Sequence, residues 1–468
     1  MPLKSLINKE VEFGYLPALK NERQFGMWDF ILIQVGFGIA AWCFMVGGLT
    51  GTVLPGKLAI PVILLGNALP VFLIAPLVIL FARYGVETFA GARAALGYLG
   101  SDIFFVIFAV LNLGWIVIAT FMLGESVIKI MAAVNAPEFL TTRTVGAPIF
   151  SIIAFAVGVF IAYRGPIAIK LFTRIGVPSL ILILLGLAYV VIVQNGFDVV
   201  LNSEPAGAYD TMSRSVASAL EWNVGLGFSW LPYLGQWARM AKTEKTAYYG
   251  TFYGFGIILN IAGIFGAFVA LLVGSLDPTD WMIAVGGVTF GIFGLLLLVL
   301  ANLTSTIVLI YSQALSFKTI FPDKKWGLAI ASTMPAALLM LSPAVYDSYS
   351  TFLSYVSFTM AAYGGVLIAD YFLVRKSVIN VRELYNRGGI YQYQGGVNVM
   401  AYAVILLTSV FYFWTYNPVS DQAGPLFTFI SAGIPTFFLS ALLYFAASKL
   451  FPALVAPKGV PIKDLNPA

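Results

Sequence analysis

Val35-Gly36-Phe37-Gly38 and Val224-Gly225-Leu226-Gly227 are the two stretches that decide the fold. Each glycine pair lies about ten residues into a long apolar run, the first and the sixth along the chain. Glycine costs a helix about 1 kcal/mol relative to alanine. Inside lipid, every backbone group that a broken helix frees needs a partner within the protein. Weak points at matching depths in two halves of a chain predict two broken helices around a midplane binding site, the pattern of secondary transporters. Small residues also serve close helix packing, so the motif carries two readings.

Composition places the chain in a membrane. Of 468 residues, 60% are hydrophobic and only 10% charged, against about a quarter charged in soluble domains. Runs long enough to cross about 30 Å of hydrocarbon fall at 27–48, 58–83, 103–134, 146–163, 171–194, 215–233, 247–274, 289–317, 327–343, 348–374, 398–416 and 425–449. Twelve spans are therefore expected, with 275–288 a re-entrant or surface hairpin. With the N-terminus inside, all 26 Lys and Arg except Lys57, Lys129, Arg143 and Arg214 fall on the cytoplasmic side. The positive-inside rule then puts both termini in the cytoplasm. The net charge of +5 reads as topology, not as nucleic-acid binding. Cys43 is the only cysteine, which excludes an intrachain disulfide or a cysteine metal cluster.

Twelve spans divide as five, five and two. An odd-numbered repeat must invert its partner, because the sixth span starts on the opposite side from the first. The expected organisation is a cytoplasmic arm over 1–26, a first five-helix repeat over 27–194 and an inverted repeat over 212–375. A cytoplasmic loop over 376–397, two further helices within 398–450 and a cytoplasmic tail over 451–468 complete it.

Candidate chemistry is concentrated in the eighth span, at Ala301-Asn302-Leu303-Thr304-Ser305-Thr306. Residues at i, i+3 and i+4 share a helix face, so Thr304 and Ser305 present hydroxyls beside the Ala301 carbonyl. Hard cations prefer oxygen, and carbonyls near Gly36 and Ile39 in the first span complete an uncharged oxygen set suited to Na⁺. Such hydroxyls also bond back to their own i−4 carbonyls. Proton coupling needs an intramembrane relay, and the chain has no histidine. Its remaining carboxylate candidates are Glu221 and Glu125, with Arg214 and Lys129 as salt-bridge partners. No catalytic constellation is present, so an enzyme is not expected. Gly114-Trp115 sits halfway along the third span, where an indole offers its face to a planar ligand; Trp230, Phe228 and Trp222 of the sixth span are similar candidates.

Several segments together resemble a known family. They are Asn112-Leu113-Gly114-Trp115, Gly235-Gln236-Trp237-Ala238-Arg239, Ala301 to Ser305, and Ala369-Asp370-Tyr371-Phe372-Leu373-Val374-Arg375-Lys376. Leu384-Tyr385, Gly389-Ile390-Tyr391 and Gly395-Gly396-Val397-Asn398 follow. This set is similar to the nucleobase:cation symporter family, which includes hydantoin transporters and cytosine permeases. The resemblance implies an all-α integral membrane protein with a LeuT-like 5+5 inverted repeat, two additional C-terminal helices and alternating access. It implies Na⁺ at the carbonyls of Gly36, Ile39 and Ala301 and the hydroxyls of Thr304 and Ser305, and a substrate ring on Trp115.

The same comparison marks departures. Hydantoin-type members carry glutamines where this chain has Ala40 and Ala119, an aromatic ring at Gly227 and an asparagine at Ile310. Leu226, Phe228, Ser229, Asn302 and Thr306, with Gln34 and Thr120, remain for substrate contacts, in a less polar pocket with room beside Gly227. The expected function is Na⁺-coupled import of a small planar nitrogen heterocycle across a bacterial-type inner membrane by a monomer, without organic cofactor. The rivals are a proton-coupled symporter using Glu221 or Glu125 and, more remotely, a channel or membrane enzyme.

Overall fold

The computed structural model describes residues 15–38 and 40–455, with backbone only at 166–173 and 175. Ile39, much of the N-terminal arm and the last tail residues lie outside the described residues. The chain is helical almost throughout, with a two-stranded turn pairing Tyr416–Asn417 and Gln422–Ala423. Among the described residues, eight helices are long and apolar enough to cross a membrane, and a bent pair makes nine. The sixth, ninth and eleventh expected spans are built of shorter helices, such as Val399–Thr415.

The first span is broken, as Met27–Gly38 and Ala41–Val53 meet at 61°. Ala40 between them is extended (φ −133°, ψ 169°), and the Cys43 thiol donates to the Gly38 carbonyl at 3.1 Å. The sixth span is broken too. Met212–Phe228 ends at Ser229 and Trp230, and the chain resumes as a 3₁₀ turn over Leu231–Tyr233 and a helix over Leu234–Ala238. Pro232 explains this break, since proline has no N–H to offer the Phe228 carbonyl four residues back.

The sixth-span glycines serve packing. Gly225 and Gly227 are helical and lie just before the break. A Cβ on Gly225 would sit 2.2 Å from the Leu353 carbonyl oxygen, and one on Gly227 2.8 Å from that of Asn67. The expected room beside Gly227 is therefore absent, because the second span fills it. In the first span the backbone approaches even more closely. Gly47 faces the Gly263 carbonyl and Gly51 that of Ala267, the small-residue contact of membrane helices.

The 275–288 segment folds back as expected. Pro278–Ile320 is interrupted at Gly287 (φ 62°, ψ −168°), and Gly291 lets the following helix lie on Ile283. The two ends of the described chain, at Tyr15 and Leu454, reach the same face. The Tyr385 hydroxyl donates to the Tyr15 carbonyl, and the Gln394 amide to that of Leu454. We call this the terminal face and the opposite one the far face.

Candidate functional site

Trp115 is halfway along the third-span helix Tyr98–Ala133, in an aromatic enclosure. Trp42, just past the first-span break, lies 5.5 Å from it between ring centres. Phe352 and Tyr349 of the tenth span approach edge-on at 5.0 and 6.1 Å. Gly114 makes this possible, since a Cβ there would meet the Phe352 ring at 2.4 Å. The enclosure joins both halves of the chain around one flat surface.

Beside it runs the eighth-span face. The Thr304 hydroxyl donates to the Leu300 carbonyl at 3.0 Å and that of Ser305 to the Ala301 carbonyl at 3.1 Å. The back-bonding alternative is thus the observed geometry. These bonds use the hydroxyl hydrogens and leave oxygen lone pairs, so the donor set still fits a hard cation. Thr304 lies against Gly176 of the fifth span. Thr306 bonds back to the Asn302 carbonyl (2.8 Å) and lies against Gly158 of the fourth. The amide of Asn302 is buried with neither polar atom paired.

Other expected contacts are spent elsewhere. Phe228 stacks on Phe437 of the twelfth span (5.5 Å, 18°), not on a ring at Trp115. Ser229 donates to the Leu226 carbonyl at 2.5 Å, and Thr120 to that of Ile116 at 2.8 Å. Gln34 donates to the Thr251 hydroxyl, 3.2 Å away. Ala40 and Ala119 are buried methyls.

The two routes to the enclosure differ. On the far face a cavity of about 600 Å³ descends between Glu125, Arg143, Asp277 and Tyr346 to Met45 and Tyr349. The Tyr349 hydroxyl donates to the Trp42 carbonyl at 3.0 Å, closing its floor. On the terminal side, Phe37 packs against Trp230, Tyr233, Trp237 and Phe255 within 6.3 Å. Tyr233 donates to Asn112 (2.6 Å), whose amide donates to Gln313 (2.9 Å). Gln236 donates to Ser316, which donates to Glu87. The seal is thick and polar at its base.

The intramembrane carboxylates have other partners than expected. Glu221 accepts four hydrogen bonds, from Ser357 (2.5 Å), Tyr412 (2.9 Å) and the backbone N–H groups of Ala432 and Gly433 (2.8 and 2.9 Å). Arg214 pairs with Asp421 instead. Glu125 pairs with Arg143, which also reaches Asp347, while Lys129 pairs with Asp280.

Residues 17–431 match the sequence pattern of the permeases for cytosine/purines, uracil, thiamine and allantoin. The chain belongs to this permease family. A hydantoin permease of Microbacterium maritypicum is 26% identical over 344 residues, 69% of this chain and 68% of that one. The fold matches Mhp1, solved facing inward, at a TM-score of 0.78 and 21% identity, covering 97% of both chains. Mhp1 closed with bromovinylhydantoin bound gives 0.76 at 21% identity, over 97% of this chain and 99% of that one. A Na⁺-coupled sialic acid symporter gives 0.61 at 12% identity, over 97% and 94%. The all-α membrane fold of the LeuT-like class, expected from the sequence, is thereby shown.

The permease-like segment after the tenth span has a structural explanation. Asp370 and Arg375 form a buried pair at 2.6 Å. Arg375 donates to the Ala94 carbonyl (2.7 Å), Tyr444 to Asp370 (2.9 Å), and Asn398 to the Ala95 carbonyl (2.7 Å). Sequence reading missed Trp42, Tyr349 and Phe352 as parts of the aromatic enclosure around Trp115. Only the position of Trp42, just past the Gly36–Gly38 break, signals it; the tenth-span rings have no local mark.

Proposed function

We propose that this permease is a Na⁺-coupled symporter importing a small planar nitrogen heterocycle by alternating access, as a monomer in a bacterial-type inner membrane with cytoplasmic termini. The carrying observation is the indole of Trp115, enclosed between a broken helix and the tenth span, below a wide vestibule and above an aromatic seal. A hydantoin permease relative and a fold neighbour holding bromovinylhydantoin support that ligand class. In this reading Ala40, Ala119, Leu226 and Asn302 border the ring, and Phe228 and Gly227 do not.

Sodium is favoured because Thr304, Ser305 and the Ala301 carbonyl supply uncharged oxygens on one face of the eighth span, a set that carbonyls at the first-span break, Gly36 among them, would complete. The proton rival is disfavoured because both oxygens of Glu221 and Oε1 of Glu125 are already engaged. The halves 27–194 and 212–375 act as the inverted repeats. The first, second, sixth and seventh spans rock against the third, fourth, eighth and ninth. Coupling follows when ion and substrate favour the same state.

The test is uptake of labelled uracil, cytosine, allantoin and hydantoin into proteoliposomes. Saturable uptake driven by a Na⁺ gradient is expected. Uptake driven by a pH gradient in Na⁺-free buffer would establish the proton rival, and non-saturable flux a channel.

A further inference from the structure

Trp42 carries a polar group that the protein leaves without use. It sits two residues beyond the extended Ala40 and is 2% exposed. Its carbonyl is held by the Tyr349 hydroxyl, and its ring lies against Trp115. The indole Nε1–H is buried and has no acceptor. Indole nitrogen is a donor only, and a buried donor left unpaired is costly enough to need an explanation. Ala40 and Ala119 offer only methyl groups.

We propose that Trp42 donates its indole N–H to an acceptor on the edge of the substrate ring and so determines specificity. Trp115 supplies the stacking face and Trp42 the edge contact, in place of the side-chain amides that the family resemblance puts at positions 40 and 119. The ligand class narrows to planar heterocycles with a ring-nitrogen lone pair or an exocyclic carbonyl on that edge. A ring presenting only N–H groups there would leave donor facing donor. This inference rests on the heterocycle reading above.

The test is Trp42→Phe in the full-length purified protein, which keeps an aromatic ring and removes the donor. Melting temperature and binding are measured with uracil, cytosine, allantoin and hydantoin. For whichever probe most stabilises the wild type, Trp42→Phe is expected to weaken binding about tenfold, as loss of one buried hydrogen bond does. The unliganded variant is expected to melt no lower than wild type, since no bond within the protein is lost. Unchanged affinity overturns the proposal while leaving the heterocycle reading intact. An unliganded melting temperature several degrees lower overturns it too, because the N–H then has a partner in the protein. A wild type that none of the four probes stabilises overturns the heterocycle reading and this inference with it.

Discussion

Trp115 is ringed by Trp42, Tyr349 and Phe352, so truncating it removes the flat surface they frame. Stacking on an aromatic side chain is worth about 1–3 kcal/mol per base. Trp115→Ala should therefore weaken heterocycle binding by roughly 5–150-fold in protein that still elutes as a monodisperse peak. Wild-type affinity in that variant would remove the indole from the site. The eighth-span hydroxyls make a separate claim. In the double variant Thr304→Ala with Ser305→Ala, substrate affinity should no longer rise when choline chloride is exchanged for sodium chloride, a loss of roughly 5–150-fold in coupling. Sodium dependence that survives both substitutions excludes this face. At this scale the sequence was only partly readable. Thr304 and Ser305 were recognisable by spacing, whereas the turning of Phe228 toward Phe437 depends on a helix more than two hundred residues away. Ile39 lies outside the described residues, so its carbonyl remains part of the proposal.

Among elements, the two breaks have different causes, and this separates what the glycines do from what they mark. Their position near both breaks was legible, but Pro232 and the extended Ala40 interrupt the helices. The sixth-span pair admits neighbouring backbones. Gly225→Ala should then lower the melting temperature, with overpacking against the Leu353 carbonyl costing about 1–3 kcal/mol; unaltered stability would restore a pure hinge role. Glu221 joins the sixth span to the tenth, the eleventh and the start of the twelfth-span helix Gly433–Leu450. A carboxyl at a helix N-terminus with two backbone donors is a favourable pairing. Its removal in Glu221→Ala leaves those donors unpaired, at about 1–3 kcal/mol for each that finds no other acceptor, read as a large fall in thermal midpoint. A variant that melts like wild type but takes up substrate without a pH response would return Glu221 to the proton pathway. Sequence reading placed Glu221 at depth but could not foresee this role, since its donors come from the far end of the chain.

Across the whole molecule, the asymmetry between a 600 Å³ far-face cavity and a sealed terminal side describes one arrangement of a two-sided device. The seal runs from Phe37 through Tyr233 to Glu87, so opening toward the termini must separate the sixth span from the third and eighth. The all-α membrane fold of the LeuT-like class was legible, because hydropathy reports on the bilayer directly. The aromatic packing that closes one side was not, since fifteen per cent aromatic content hides the few rings that matter. One small contact bears on how such motion can be followed. The Cys43 thiol bridges the first-span break to the Gly38 carbonyl, is 1% exposed and is the sole sulfhydryl of the chain. A change in the angle between the two half-helices is expected to alter that bridge and the exposure of the thiol. A membrane-impermeant maleimide should thus modify the native protein slowly, at a rate that shifts with sodium and substrate, so the permease carries a built-in reporter of its own alternation.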